Sequence, residues 1–220
     1  MFSFEGFVRI DAFCRGVFRV AYLNLLWLAT TVLGLGVFGF GPACYATAKY
    51  MDRWLRHGET PSPTRTFVAY LQEQTRQAMV TGWIVLAAGA VIVTNVFAAP
   101  TWLLQVVNVL ALVVLAIATA YVFPVMAATD VVTLRRRFAA ALLIGFGSLH
   151  WTIIGATAVG VVEWLLWTYA TPMLLLFGAG IPAFAVGLVT RAVFRPLTES
   201  PDVPGRFVHH LNTPVTEQVS

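Results

Sequence analysis

Charged side chains are too scarce in this sequence to cover a soluble surface. Only 11% of residues are charged while 59% are apolar, against about 25% and about 45–50% in an ordinary soluble domain. Mean hydropathy is +0.79. Two cysteines, Cys14 and Cys44, make no disulfide framework and are expected to be free thiols. A cleavable leader is not expected. The first apolar run, 20–41, is longer than a signal-peptide core, and Glu5 and Asp11 precede it.

Reactive constellations are missing as well. There is no phosphate-cradling loop, no Gly-x-Ser-x-Gly elbow and no pair of neighbouring carboxylates in an apolar setting, so hydrolase and ATPase readings lack their groups. His209 and His210 have no cysteine or carboxylate at ligand spacing, which argues against zinc. No cofactor is expected, and the reading is non-enzymatic. A net charge of +4 would raise nucleic-acid binding in a soluble protein. Here the arginines flank apolar stretches, where anionic lipid headgroups are the natural partner, and no nucleic-acid site is read.

What the sequence has in abundance is apolar length. A bilayer core of about 30 Å takes about 20 helical residues, and five stretches qualify: 20–41, 79–98, 102–126, 138–164 and 172–194. The expected fold is an all-α polytopic transmembrane bundle forming a single domain over 1–195, with a disordered cytoplasmic tail over 196–220. Residues 4–19 place Phe7, Ile10, Phe13 and Val17 opposite Arg9, Asp11, Arg15 and Arg19, an interfacial helix pattern. Two further surface helices are expected, over 43–57 and from Thr64 to about Arg76, separated by Pro61 and Pro63.

Loops 99–101 and 168–171 carry no Lys or Arg, whereas the other connections do, which by the positive-inside rule makes the basic ones cytoplasmic. Five spans then put Arg9, Arg15 and Arg19 outside, against the rule. An alternative makes 20–50 a re-entrant hairpin broken at its glycines, with both ends inside. The full span, ending in a break at Pro42, is preferred on its apolar length. Gly39-Phe40-Gly41-Pro42-Ala43 and Tyr121-Val122-Phe123-Pro124-Val125 also read as a faint internal repeat, continued by Asp52, Arg53 and Phe67 on one side and Asp130, Arg135 and Phe138 on the other.

Polar residues inside spans are the first place to look for function, because hydrocarbon penalises them. The candidates are Asn24, Asn95, Asn108, His150 and Glu163, with His150 placed near the midplane of the 138–164 span. Candidate lipid-headgroup contacts are Lys49, Arg53, Arg56, Arg65, Arg76, Arg135, Arg136 and Arg137.

The series Tyr22-Leu23-Asn24-Leu25-Leu26-Trp27-Leu28, then Gly39-Phe40-Gly41-Pro42-Ala43, then a basic connection ending near Phe67, resembles the YesL-like family of bacterial membrane proteins, a domain of unknown function. Tyr121-Val122-Phe123-Pro124 extends the likeness, which covers about Phe13 to Arg195. The resemblance implies a multi-pass protein of the bacterial cell membrane, brings no catalytic residues, and implies an accessory role beside carbohydrate importers of the ATP-binding-cassette class. The contrasting reading is a small secondary transporter with a polar path through His150.

Overall fold

The computed structural model describes residues 4–59, 61–129 and 133–198. Among them the chain is all-α, in nine helices. They are α1 (Phe4–Leu33), α2 (Val37–His57), α3 (Pro63–Glu73), α4 (Thr75–Ala98), α5 (Trp102–Ala128), α6 (Leu134–Gly147), α7 (Leu149–Tyr169), α8 (Thr171–Phe177) and α9 (Gly180–Thr198). Four stretches, Ile10–Leu33, Thr75–Ala98, Trp102–Ala128 and Leu149–Tyr169, are long and apolar enough to cross a membrane. The pair Thr171–Phe177 and Gly180–Val193, bent by 47°, makes a fifth if taken as one broken span.

The first expected span differs most. One helix, α1, runs from the amphipathic segment straight through the apolar run and stops at Leu33. The chain then reverses rather than continuing to Pro42. Leu35 (φ 54) and Gly36 (φ 76) are both left-handed, and the Gly36 N–H reaches back to the Thr31 carbonyl at 2.7 Å, a Schellman-type ending. Gly34 and Gly39 let the two helices meet, since a Cβ on Gly39 would strike the Thr30 carbonyl. Further down, Trp27 Nε1 donates to Cys44 Sγ at 3.3 Å and Gly16 lies under Trp54. α1 and α2 therefore form an antiparallel hairpin, and Pro42 is accommodated inside α2. The preference for a continuous span over 20–41 gives way to the hairpin because positive-φ residues turn a chain more sharply than a proline near a helix start.

The same geometry corrects the expected surface helix over 43–57. Ala43, Tyr45, Ala46, Thr47, Tyr50 and Met51 are buried, and α2 packs against α1, α3, α4, α5 and α9. It is the central helix of the bundle. Its charged residues Lys49, Asp52, Arg53 and Arg56 occupy only its last turns, so periodicity there described one end of a buried element. By contrast α3 is the expected short surface helix, anchored by Phe67 and Tyr70.

Contact between α2 and α4 is backbone to backbone. A Cβ on Gly82 would sit 2.7 Å from Gly41 Cα, and one on Gly41 would strike the Ala78 carbonyl. Higher up, Trp83 Nε1 donates to the Val37 carbonyl at 3.1 Å and its ring meets Phe38 edge-on. Beyond Trp83, α4 continues to Ala98, roughly 22 Å of helix at 1.5 Å per residue. That stretch holds mostly exposed apolar side chains such as Val91, Val93 and Phe97. The core thus sits at one end of the bundle, around Tyr45, Tyr121, Val122 and Ala141, with a second cluster around Leu23, Ala46 and Phe67.

The expected span 138–164 is broken at Ser148 into α6 and α7. α6 packs on α5, with Gly145 against Ile117 and Tyr121. Phe40 and Phe123, one from each of the two proline-containing segments though one position out of register, face each other edge-on at 6.4 Å. α9 runs to Thr198, past the expected start of the tail at 196. The rest of the tail, with His209 and His210, and Asp130 of the repeat lie outside the described residues.

Candidate functional site

The polar residues named from the sequence do not gather in one place. Asn24 is buried and spans the break between α8 and α9. Its Oδ1 accepts from the Ala179 and Gly180 N–H groups, both at 2.9 Å, and its Nδ2 donates to the Leu175 carbonyl at 2.7 Å. A broken helix exposes unpaired amides at one lip and carbonyls at the other, and one carboxamide from α1 satisfies both kinds. Asn108 is also committed, donating to Leu104 of its own helix at 2.8 Å. Asn95 and His150 lie on the outer surface of α4 and α7. The break at Ser148 puts His150 in the first turn of α7, where its ring lies 5.4 Å from that of neighbouring Trp151. Glu163, half-buried, lines a cleft between α5, α7 and α9.

The basic residues divide into paired and unpaired. Lys49 Nζ lies 2.5 Å from both carboxylate oxygens of Glu73, 3.4 Å from the Tyr45 hydroxyl and 5.0 Å from the Tyr70 ring centroid. Burial works against its ammonium, but the hydrogen bonds with Glu73 and Tyr45 more than offset it, and the pKa stands above that of an ordinary lysine. A raised cation pKa means that the charged form of Lys49 favours the folded state, a contribution that is lost as pH climbs through the raised value. Arg56 pairs with Asp52 at 2.9 Å, and Arg53 with Glu59 at 3.3 Å while lying over Tyr70.

Arg137 is buried, 4% exposed, and donates to Gln77 Oε1 at 2.5 Å. It is a strut between α6 and α4, and with Lys49 it leaves the set of headgroup contacts, since neither cation faces outward. Arg65, Arg76, Arg135 and Arg136 are exposed. The Lys49–Glu73 and Arg137–Gln77 bonds are not legible in the sequence, because partners 24 and 60 residues apart leave no periodic trace.

Two clefts open between the helices. One, of about 300 Å³, lies between α2, α5 and α9, with Trp27, Phe40 and Cys44 at one side and Asp52 among its lining. The other, of about 520 Å³, lies between α5, α7 and α9 and holds Glu163. Among the described residues no group of three or more His, Cys, Asp or Glu comes together in a metal-binding arrangement.

Comparison with known proteins gives a family and no activity. The family described as "Protein of unknown function, DUF624" matches residues 20–96, the hairpin together with α3 and most of α4. The chain is 29% identical over 195 residues to the uncharacterized protein YesL of Bacillus subtilis, covering 86% of this chain and 91% of that one. It is 30% identical over 188 residues to the uncharacterized protein YesV of the same organism, covering 79% and 88%. A shorter match, 34% over 84 residues and 38% of each chain, is to the uncharacterized protein YteU. No solved structure matches. With a relative at that identity matched over most of both chains, and with the hairpin built from the residues that carry the likeness, this chain belongs to the YesL-like, DUF624 family of membrane proteins.

Proposed function

We propose that this protein is a non-catalytic accessory or regulatory subunit of the bacterial cell membrane, acting beside the membrane components of a carbohydrate importer of the ATP-binding-cassette class. The observation that carries the reading is where the intramembrane polar groups stand. Moving a polar solute or a proton needs several such groups converging at depth. Here Asn24 is spent on a helix break, Asn108 on its own helix, and Asn95 and His150 face outward. A subunit that works by contact needs no path. The purified protein alone in liposomes is expected neither to move sugars nor to dissipate a proton gradient, and His150→Ala should leave its cellular phenotype intact. Solute uptake by the reconstituted protein, abolished by His150→Ala, would establish the transporter instead.

The hairpin also bears on sidedness. With the chain reversing at 34–36, the N-terminal arginines, the end of α2 and start of α3, the end of α5 and start of α6, and the end of α9 all come to one end of the bundle. Every Lys and Arg up to Arg195 then lies at or near that end, and the conflict with the positive-inside rule disappears. That end is cytoplasmic in this reading, and Arg65, Arg76, Arg135 and Arg136 meet the anionic leaflet. In a background lacking Cys14 and Cys44, Thr101→Cys should react with an impermeant thiol reagent on intact cells. Arg65→Cys and Arg136→Cys should react only after permeabilisation. The opposite pattern would reverse the topology and remove the headgroup assignment with it.

A further inference from the structure

We propose that the cleft between α5, α7 and α9 is a binding site for an amphiphile with an apolar chain and an ammonium head, the head pairing with Glu163. The cleft measures about 520 Å³, within the range of about 300–1,000 Å³ typical of small-molecule sites. Its walls are apolar, from Val113 and Ile117 on α5, Ile153 and Val159 on α7 and Val186 on α9.

α7 is the least packed of the long helices: none of its 21 residues is buried. It packs on α9 and α8 and touches the end of α6. The small residues Gly155, Ala156 and Gly160 face the opening, so the cleft is space that α7 leaves unfilled. A Cβ on Gly160 would meet nothing within 4 Å, and one on Gly155 would meet only Val189 at 3.5 Å.

The two ends differ chemically. At the inner end the hydroxyls of Tyr121 and Thr152 are bonded to each other at 2.7 Å, and Thr152 Oγ1 also lies within hydrogen-bond distance of the Gly145 and Ser148 carbonyls. Those groups are already partnered. Toward the other end Glu163 is the one charged residue of the lining, and among the described residues no hydrogen bond or ion pair reaches its carboxylate. The lysine and arginines of the described residues gather at the opposite end of the bundle. With no cation of the described residues at that level, a ligand can supply the counter-ion for Glu163, and the apolar walls below it select a cation that carries a hydrocarbon chain. Glu163 lies about two turns before the end of α7, beside Trp164 and Trp167, residues of the kind that sit at a membrane interface. An amphiphile entering from the bilayer would hold its head at that level and its chain in the cleft.

This site goes beyond the accessory reading and does not rest on it. The test uses the full-length protein in nanodiscs, with dodecylamine as the cationic probe, dodecanol as its neutral counterpart, and empty nanodiscs as the baseline for lipid partitioning. Saturable binding of dodecylamine is expected, weakened about tenfold or more by Glu163→Gln, with dodecanol bound weakly and indifferent to that change. Gly160→Leu, which fills open space, should abolish saturable binding while the unfolding midpoint stays put. Binding no greater than to empty nanodiscs, equal binding of amine and alcohol, or an unchanged affinity in Glu163→Gln would each overturn the proposal.

Discussion

Gly82→Ala should destabilise the protein by roughly 2–3 kcal/mol, a large loss for the addition of one methyl group. Two effects oppose each other at this position. Alanine is the better helix former by about 1 kcal/mol, so a glycine in the exposed interior of a helix would gain from the change. At Gly82, however, the new Cβ lies 2.7 Å from Gly41 Cα and 2.9 Å from Gly41 N. No side chain can swing away, because the obstacle is backbone, so the whole of α2 must move off α4. That displacement would disturb the Trp83–Val37 hydrogen bond and the Phe38–Trp83 ring contact, which hold the hairpin tip against α4. Gly147, where a Cβ meets nothing within 4 Å, is the matched control, and Gly147→Ala should be neutral or slightly stabilising. The unfolding midpoints of the two variants in mixed micelles with a denaturing detergent make the comparison. Equal midpoints would show that the α2–α4 approach accommodates a methyl group at position 82.

The contrast between Gly82 and Gly147 also marks the limit of what the sequence disclosed. Apolar run length identified α4, α5 and much of α7, because the bilayer sets that length independently of any neighbour. Pair geometry is invisible to such a measure. Gly82 and Gly147 have the same identity and similar surroundings in the sequence, and only the position of Gly41 on another helix separates them. The first hairpin ranked second to a continuous span for a related reason. Hydropathy is continuous across 20–41, while the reversal depends on the φ values of Leu35 and Gly36, and leucine gives no sign that it will be left-handed. The charge pattern held the clue, since Arg9, Arg15 and Arg19 fit the positive-inside rule only if the chain doubles back. Among the candidate residues, polarity within an apolar run marks Asn24 but not what it touches. Its partners lie 151–156 residues away, at a helix break that hydropathy does not register. His150 was placed near a midplane on the assumption of an unbroken helix, and the break at Ser148 removes that basis.

Asn24→Ala should have the other large effect, at a site where a sequence reading would look for transport chemistry. The substitution leaves the Ala179 and Gly180 N–H groups and the Leu175 carbonyl without their partner. Within a membrane, side-chain hydrogen bonds between helices are worth about 0.6 kcal/mol on average and up to about 1.7. Unsatisfied buried groups cost about 1–3 kcal/mol each. Three bonds through one carboxamide therefore put the loss at roughly 2–5 kcal/mol, provided that water does not enter the break. Asn24→Asp separates the two halves of the clamp: a carboxylate still accepts from the two amides at the start of α9, where the helix dipole favours it, but it faces the Leu175 carbonyl with no hydrogen to give. Its stability should fall between those of the wild type and Asn24→Ala. Asn108→Ala, which removes a bond confined to one helix, should be close to neutral. Hydrogen exchange supplies the local readout. In Asn24→Ala the amides of Ala179 and Gly180 should exchange faster than in the wild type, while those of α4 keep their protection. Unchanged protection at 179 and 180 would mean that the break is held by α9 packing on α2 and α7 alone, and that the carboxamide is incidental to it.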